Sequence, residues 1–290
     1  MMQTKPWDFM VKLTPQREWI EGHGIMVAFA MFFGGISGGL YLSSLYFHSL
    51  LGMFIAWLFA AAAGLTDMAH LSHPMRFWRM LRKPNSSWIS RGFILIWLFL
   101  GAAMIQMAIT YWAPGNVWEI VFKAIAGVLA FGVAIYSGFA LGVVGAIKIW
   151  NTGLVPILYV ISGVTAGLSV VILVSLNATN LYIVANYLLA AQVIYAISIV
   201  IYFWTATYSS SSAKDSAVRV LKGSIAPAFW VGVVFLGIVL PIVMIAPFSL
   251  KQNVSQALFV VSSVFTVIGG VALRYVILKA GMYSPLLTDE

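Results

Sequence analysis

His23, Asp67, His70 and Tyr136 are the residues of this chain best suited to chemistry, because of where they fall. His23 opens the first long apolar run, Asp67 and His70 close the second, and Tyr136 lies near one end of the fourth. Imidazole donates, accepts and relays protons near neutral pH. A carboxylate takes up a proton, and a phenol hydroxyl donates a hydrogen bond. A helical bundle that brings them to one depth would suit a ring whose two carbonyls each accept a hydrogen bond. The redox change of such a ring moves two protons, which describes a quinone head group. Trp19 stands four residues before His23 and shares its face on a helix, so it would line the same apolar, aromatic pocket. Glu18 and Glu21, five and two residues before His23, would point away from it; Glu18 is the weaker candidate for a proton relay.

Each residue also has a plainer reading. A lone histidine at a helix start is more often interfacial and bonded to water or lipid. Tyr and Trp at span ends usually form interfacial belts, the default for Trp19. Asp67 near a helix C-terminus opposes the helix dipole, so its default role is an ion pair with Arg76 or Arg91.

The elements that must position these groups follow from composition. Hydrophobic residues make up 62% of the chain and charged residues 8%, against roughly 25% charged in soluble domains. Mean hydropathy is +0.98. The fold class expected is an all-α integral membrane protein with eight transmembrane helices in two four-helix halves. The apolar runs are Ile25–Phe47, Leu50–Ala69, Trp88–Tyr111, Val117–Leu141, Leu154–Leu176, Leu181–Trp204, Pro227–Ala246 and Ser255–Leu278, each near the 20 or so residues that a span needs. A tight turn at His48–Ser49 joins the first two. A polar segment, residues 1–24, precedes this membrane domain of residues 25–278 and carries no evident cleavable signal. A basic loop spans 64–92, a polar loop 208–222, and a tail 279–290.

Eight spans put both termini on one face. That face carries all of the sixteen Lys and Arg except Lys123 and Lys251. The bias reads as a topology signal that makes the face cytoplasmic, or as a surface for an acidic partner subunit. The net charge of +8 is not read as nucleic-acid binding. Gly35-Ile-Ser-Gly-Gly-Leu40 matches Gly163-Val-Thr-Ala-Gly-Leu168 at an offset of 128 residues, which suggests parallel halves. The pairs Gly34/Gly38, Gly35/Gly39, Gly163/Gly167 and Gly138/Gly142 have the spacing of close helix packing.

The middles of the spans hold Gln106, Asn186, Gln192 and hydroxyls but no ionisable acid or base, which counts against an ion-coupled transporter. Without cysteine the chain holds no iron–sulfur cluster of its own. His48 alone stands on the far face, so a two-haem path across the membrane is excluded, and His70 and His73 lack further zinc ligands.

The basic loop is more specific. His70-Leu71-Ser72-His73-Pro74-Met75-Arg76-Phe77-Trp78, then Asn85-Ser86-Ser87-Trp88-Ile89-Ser90-Arg91-Gly92, resembles the NrfD/PsrC family of membrane subunits of polysulfide-reductase-type enzymes. That family reads HLGRPxRFW and then a segment ending S-x-x-[SA]-x-G. Tyr136-Ser-Gly-Phe-Ala-Leu-Gly142, followed by Trp150-Asn151-Thr152 and Pro156, is a second match, and the Gly-rich first span after a histidine is a third. Ser72-His73 depart from the usual Gly-Arg.

The resemblance implies a haem-free, cluster-free subunit that reacts with a menaquinone-type quinone. His23 and Tyr136 would hold the head group, Trp19 would stand where some members have Asn, and Asp67, His70 and Glu18 would support it or relay protons. It further implies a ferredoxin-like iron–sulfur subunit as partner, connected to a molybdopterin-type catalytic subunit. Arg76, Arg79, Arg82, Lys83 and Arg91 would dock that partner. Quinol oxidation for reduction of a sulfur compound is the expected direction. The rivals are a transporter of two four-helix repeats, an anchor without a quinone site, and a haem-bearing anchor.

Overall fold

A computed structural model describes residues 12–70, 78, 84–85, 87–175, 181–249 and 255–285. Among these, eight helices are long and apolar enough to cross a membrane, and the chain is a multi-pass membrane protein. The helices are α1 (Ile25–Tyr46), α2 (Leu50–His70), α3 (Trp88–Trp112), α4 (Val117–Gly142), α5 (Leu154–Val174), α6 (Leu181–Ser209), α7 (Ser211–Leu221), α8 (Leu240–Ser249) and α9 (Gln256–Ala280). The seventh span is wound as a π-helix over Ala228–Val239 before it continues as α8.

Local chemistry sets the helix ends. His48 takes φ +55° in the turn between α1 and α2, and Gly115 takes φ +81° between α3 and α4. Both conformations are left-handed, which glycine adopts freely and histidine occasionally. Asn116 caps α4 by accepting from the Trp118 N–H at 3.0 Å, and Ser87 caps α3 through the Ser90 N–H. The segment expected as a polar loop over 208–222 is instead largely helical. Ser210 caps α7 by accepting from the Ala213 N–H at 3.2 Å. Ala213, Ala217 and Val220 are buried along one face of α7.

Lipid tails are as apolar as leucine, so helices in a bilayer associate through close backbone approach and polar contacts. α1 and α5 meet along the two matching glycine motifs. A Cβ on Gly39 or Gly163 would fall on backbone atoms of the other helix, and one on Gly167 would fall on Gly39 and Leu40. Gly38 meets the α4 backbone at Ala130, and Gly138 meets Pro156 of α5. α1 packs on α2 and α4, and α5 packs correspondingly on α6 and α9.

The N- and C-terminal segments meet on one face. Strand β1 (Thr14–Pro15) pairs antiparallel with β2 (Met282–Tyr283). Gln16 fastens the junction: its side-chain amide donates to the Leu278 carbonyl at 2.6 Å and its Oε1 accepts from the Trp19 N–H at 3.0 Å. Trp150, fully buried, donates to the Ile277 carbonyl at 2.7 Å.

At the opposite end a ladder of side chains binds α1, α3 and α4. The Tyr41 hydroxyl donates to Gln106 Oε1 at 2.7 Å. The Gln106 amide donates to the Thr110 hydroxyl at 2.8 Å, which donates to Glu119 at 3.0 Å. Glu119 also accepts from the Gly115 N–H at 2.7 Å and pairs with Lys123 at 2.7 Å.

Candidate functional site

Four helices converge on Tyr136. Its ring lies against Gly92 of α3, where a Cβ would overlap ring atoms Cδ2 and Cε2. A Cβ on Gly34 of α1 would lie 3.5 Å from its Cε1 and 3.9 Å from its hydroxyl. The hydroxyl donates to Asp67 Oδ2 of α2 at 3.2 Å. Tyr136 is only 6% exposed, and Asp67 is half-buried. Trp88 of α3 stacks on Phe139 of α4 with centroids 4.6 Å apart and forms an aromatic wall at the same end of these helices. The site pairs a hydroxyl donor with a carboxylate acceptor in surroundings of glycine and aromatic rings.

The structure joins two of the expected residues, Tyr136 and Asp67. His23 lies exposed on the turn Gly22–Gly24 that leads into α1. At 1.5 Å per residue it stands roughly 16 Å along the axis from Gly34. Trp19 packs edge-on against Trp150 with centroids 5.5 Å apart. Glu18 accepts from the Tyr283 hydroxyl at 3.2 Å. Its own backbone N–H, then the Arg17 N–H and this hydroxyl, hold its carboxyl below the usual carboxylate range despite partial burial. Arg91 holds the preceding turn: its guanidinium donates to the Pro84 and Asn85 carbonyls, both at 2.7 Å, and lies 4.6 Å over the Trp88 ring. The His70 side chain and Arg76, Arg79, Arg82 and Lys83 lie outside the described residues.

One residue escaped the sequence reading, which grouped it with the C-terminal charges. Arg274 of α9 is fully buried. It donates to the Ser162 hydroxyl and to the carbonyls of Gly270 at 3.2 Å and Tyr159 at 3.1 Å. Its guanidinium lies 4.7 Å over the Tyr159 ring. The signal was present: four apolar or aromatic residues, Tyr275 to Leu278, still follow it within the last apolar run.

Fold and site together describe a polytopic membrane protein with a hydroxyl–carboxylate pair set toward one end of its first four helices. Residues 20–285 match the family model described as "Polysulphide reductase, NrfD". The chain belongs to the NrfD family. A polysulfide reductase component of Wolinella succinogenes is 25% identical over 88% of this chain and 92% of its own length. The NrfD homolog of Haemophilus influenzae is 26% identical over 76% and 78%. A selenate reductase component of Mesobacillus selenatarsenatis is 27% identical over 54% and 48%.

Proposed function

We propose that this chain is the membrane anchor of a multisubunit respiratory oxidoreductase and exchanges electrons with the quinone pool at the Tyr136–Asp67 pocket. Two of the relatives are named as single components of reductases, one for polysulfide and one for selenate, which supports the anchor role. The observation that carries the quinone reading is the buried Tyr136 hydroxyl, tied to a carboxylate at 3.2 Å between two glycines.

In this reading Tyr136 and His23 bond the two oxygens of the head group: a quinol hydroxyl donates to the Tyr136 oxygen while the Tyr136 O–H donates to Asp67, and Asp67 takes up a proton released on oxidation. Trp19 lines the wall, while His70 and Glu18 carry protons outward. Arg76, Arg79, Arg82, Lys83 and Arg91 seat a ferredoxin-like iron–sulfur subunit, which serves a molybdopterin-type catalytic subunit. A menaquinone-type quinol is oxidised, and the electrons reduce a sulfur compound. The termini and the partner lie on the cytoplasmic face of the cell membrane, in line with the charge bias.

Tyr136→Phe and His23→Ala in the assembled complex test the site. Quinol-coupled turnover should fall and binding of a quinone-site inhibitor should weaken in both. Full turnover with unchanged inhibitor binding in both variants refutes it.

A further inference from the structure

The π-helix of the seventh span packs against α9 far more than against α6. Glycines set that preference. A Cβ on Gly237 or on Gly269 would fall on the backbone of the other, and one on Gly232 would meet the Ala272 methyl at 3.0 Å. The lean toward α9 leaves a groove of 450 Å³ beside α6. Val200, Phe203 and Trp204 wall it on one side, and Trp230, Val234 and Ile238 on the other. Val200, Trp204 and Trp230 are exposed, so the groove opens sideways to the bilayer.

The length of the groove selects its occupant. The lining runs from Thr207 to Ala196 of α6, about 16 Å at 1.5 Å per residue. Ala196 stands midway along α6, and the hydrocarbon core of a bilayer is about 30 Å thick. The groove therefore reaches from one membrane face to the middle. A spanning helix of a partner subunit would need the full depth, whereas an acyl chain of one leaflet needs half of it.

The mouth selects the head group. α7 closes it, with Leu221 in the lining. Ala213, Ala217 and Val220 turn toward the protein, while Lys214, Val218 and Lys222 stay exposed. With 3.6 residues per turn, those three lie within about 100° of Leu221 around the helix. The outward arc thus carries Lys214 and Lys222, with the half-buried Arg219, against the single acid Asp215. Neither lysine is in an ion pair among the described residues. The uncharged donors at the mouth are engaged: the Trp230 indole donates to the Leu221 carbonyl at 3.0 Å, and the Thr207 hydroxyl to the Trp204 carbonyl at 2.6 Å. A neutral ring finds those donors spent, whereas a phosphate meets two unpaired ammonium groups on stems long enough to reach head-group level.

We propose that this groove binds an anionic phospholipid from the leaflet on the face where the chain termini meet. One acyl chain lies along α6 between Trp204 and Trp230, and the phosphate rests against Lys214 and Lys222. The site stands apart from the quinone reading, which concerns the first four helices.

The test uses the purified full chain in neutral detergent. The probes are phosphatidylglycerol and phosphatidylcholine with the same acyl chains, and retained lipid is counted by native mass spectrometry. A lysine beside an anionic lipid favours its binding about fivefold. Lys214→Gln combined with Lys222→Gln should therefore weaken phosphatidylglycerol about 25-fold and leave phosphatidylcholine unchanged. Both positions are exposed, so a folded sample is expected. Val200→Trp fills the groove from its exposed side and should weaken both lipids. A groove of 560 Å³ between α2 and α3, lined by no charged residue, supplies the control, and Met107→Trp there should leave the preference for phosphatidylglycerol intact. A lysine variant that keeps the wild-type preference overturns the proposal, as does a Val200→Trp chain that retains both lipids like the wild type. Displacement of phosphatidylglycerol by equimolar decylubiquinone would give the groove to a quinone tail and overturn the proposal as well.

Discussion

Gly92→Ala is the sharpest probe of the pocket, because it adds one methyl group and touches no polar atom. The new Cβ would overlap two atoms of the Tyr136 ring. Carbon atoms settle at about 3.5–4.0 Å, so the ring must retreat by about 1 Å or more. Its hydroxyl already donates to Asp67 over 3.2 Å, and such a retreat takes the bond out of range. A misplacement of about 1 Å at a reacting group costs about a hundredfold in rate, whereas overpacking costs about 1–3 kcal/mol of stability. Quinol oxidation by the complex should therefore fall about a hundredfold while thermal unfolding remains cooperative. Gly101→Ala on the same helix is the control, since a Cβ there meets nothing within 4 Å. A folded Gly92→Ala complex with wild-type turnover would refute the pocket.

Three further outcomes follow from other contacts. Gly163→Ala sets a methyl group on the Gly35 carbonyl, and backbone cannot move aside as a side chain can. A loss of about 1–3 kcal/mol is expected in detergent melts, and an unchanged melt would contradict the α1–α5 crossing. Gln106→Leu strips Tyr41 of its acceptor and Thr110 of one donor, while Thr110 keeps Glu119, and should cost about 1–3 kcal/mol; adding Tyr41→Phe should recover part of it in a double-mutant cycle. Because its own backbone N–H, then the Arg17 N–H and the Tyr283 hydroxyl, lower the folded Glu18 carboxyl, the ionised group stabilises the N-terminal junction above the unfolded carboxylate range and this contribution is lost as pH falls through the lowered value. Hydrogen exchange over residues 16–21, corrected for intrinsic rates, should rise at acid pH in the wild type, whereas Glu18→Gln should show the raised exchange already at neutral pH and no further acid dependence.

The spans were legible because apolar runs of that length have few other uses. Where the reading stopped short, local hydrogen bonds explain the difference. α6 continues to Ser209, past the expected end at Trp204. Thr205, Thr207 and Ser209 turn their hydroxyls back to the carbonyls of Tyr202, Trp204 and Ala206, so polarity rises before the helix ends. The small-residue pairs were read as packing, and Gly35, Gly39, Gly163 and Gly167 do pack. Gly34 has another use, since it makes room for Tyr136. Only the three-dimensional arrangement reveals that, because spacing alone treats neighbouring glycines alike. Tyr136 and Asp67 stood out as polar groups at span ends. Arg274 did not, because an arginine near a span end looks the same whether it faces water or the bundle interior.

The ladder from Tyr41 to Glu119 has one rung of a different kind. Hydroxyls and carboxylates can hand protons along, but Gln106 is a carboxamide with fixed donors and a fixed acceptor. Every bond runs one way, from Tyr41 through Gln106 and Thr110 to Glu119. The seam therefore fastens three helices while acting as an insulator: among the described residues of the ladder, a proton arriving at Glu119 has no carrier past Thr110. In the proposed reading, this route gives the Tyr136–Asp67 pair no second exit for protons among the described residues, and exchange is confined to the end where the N- and C-terminal segments meet.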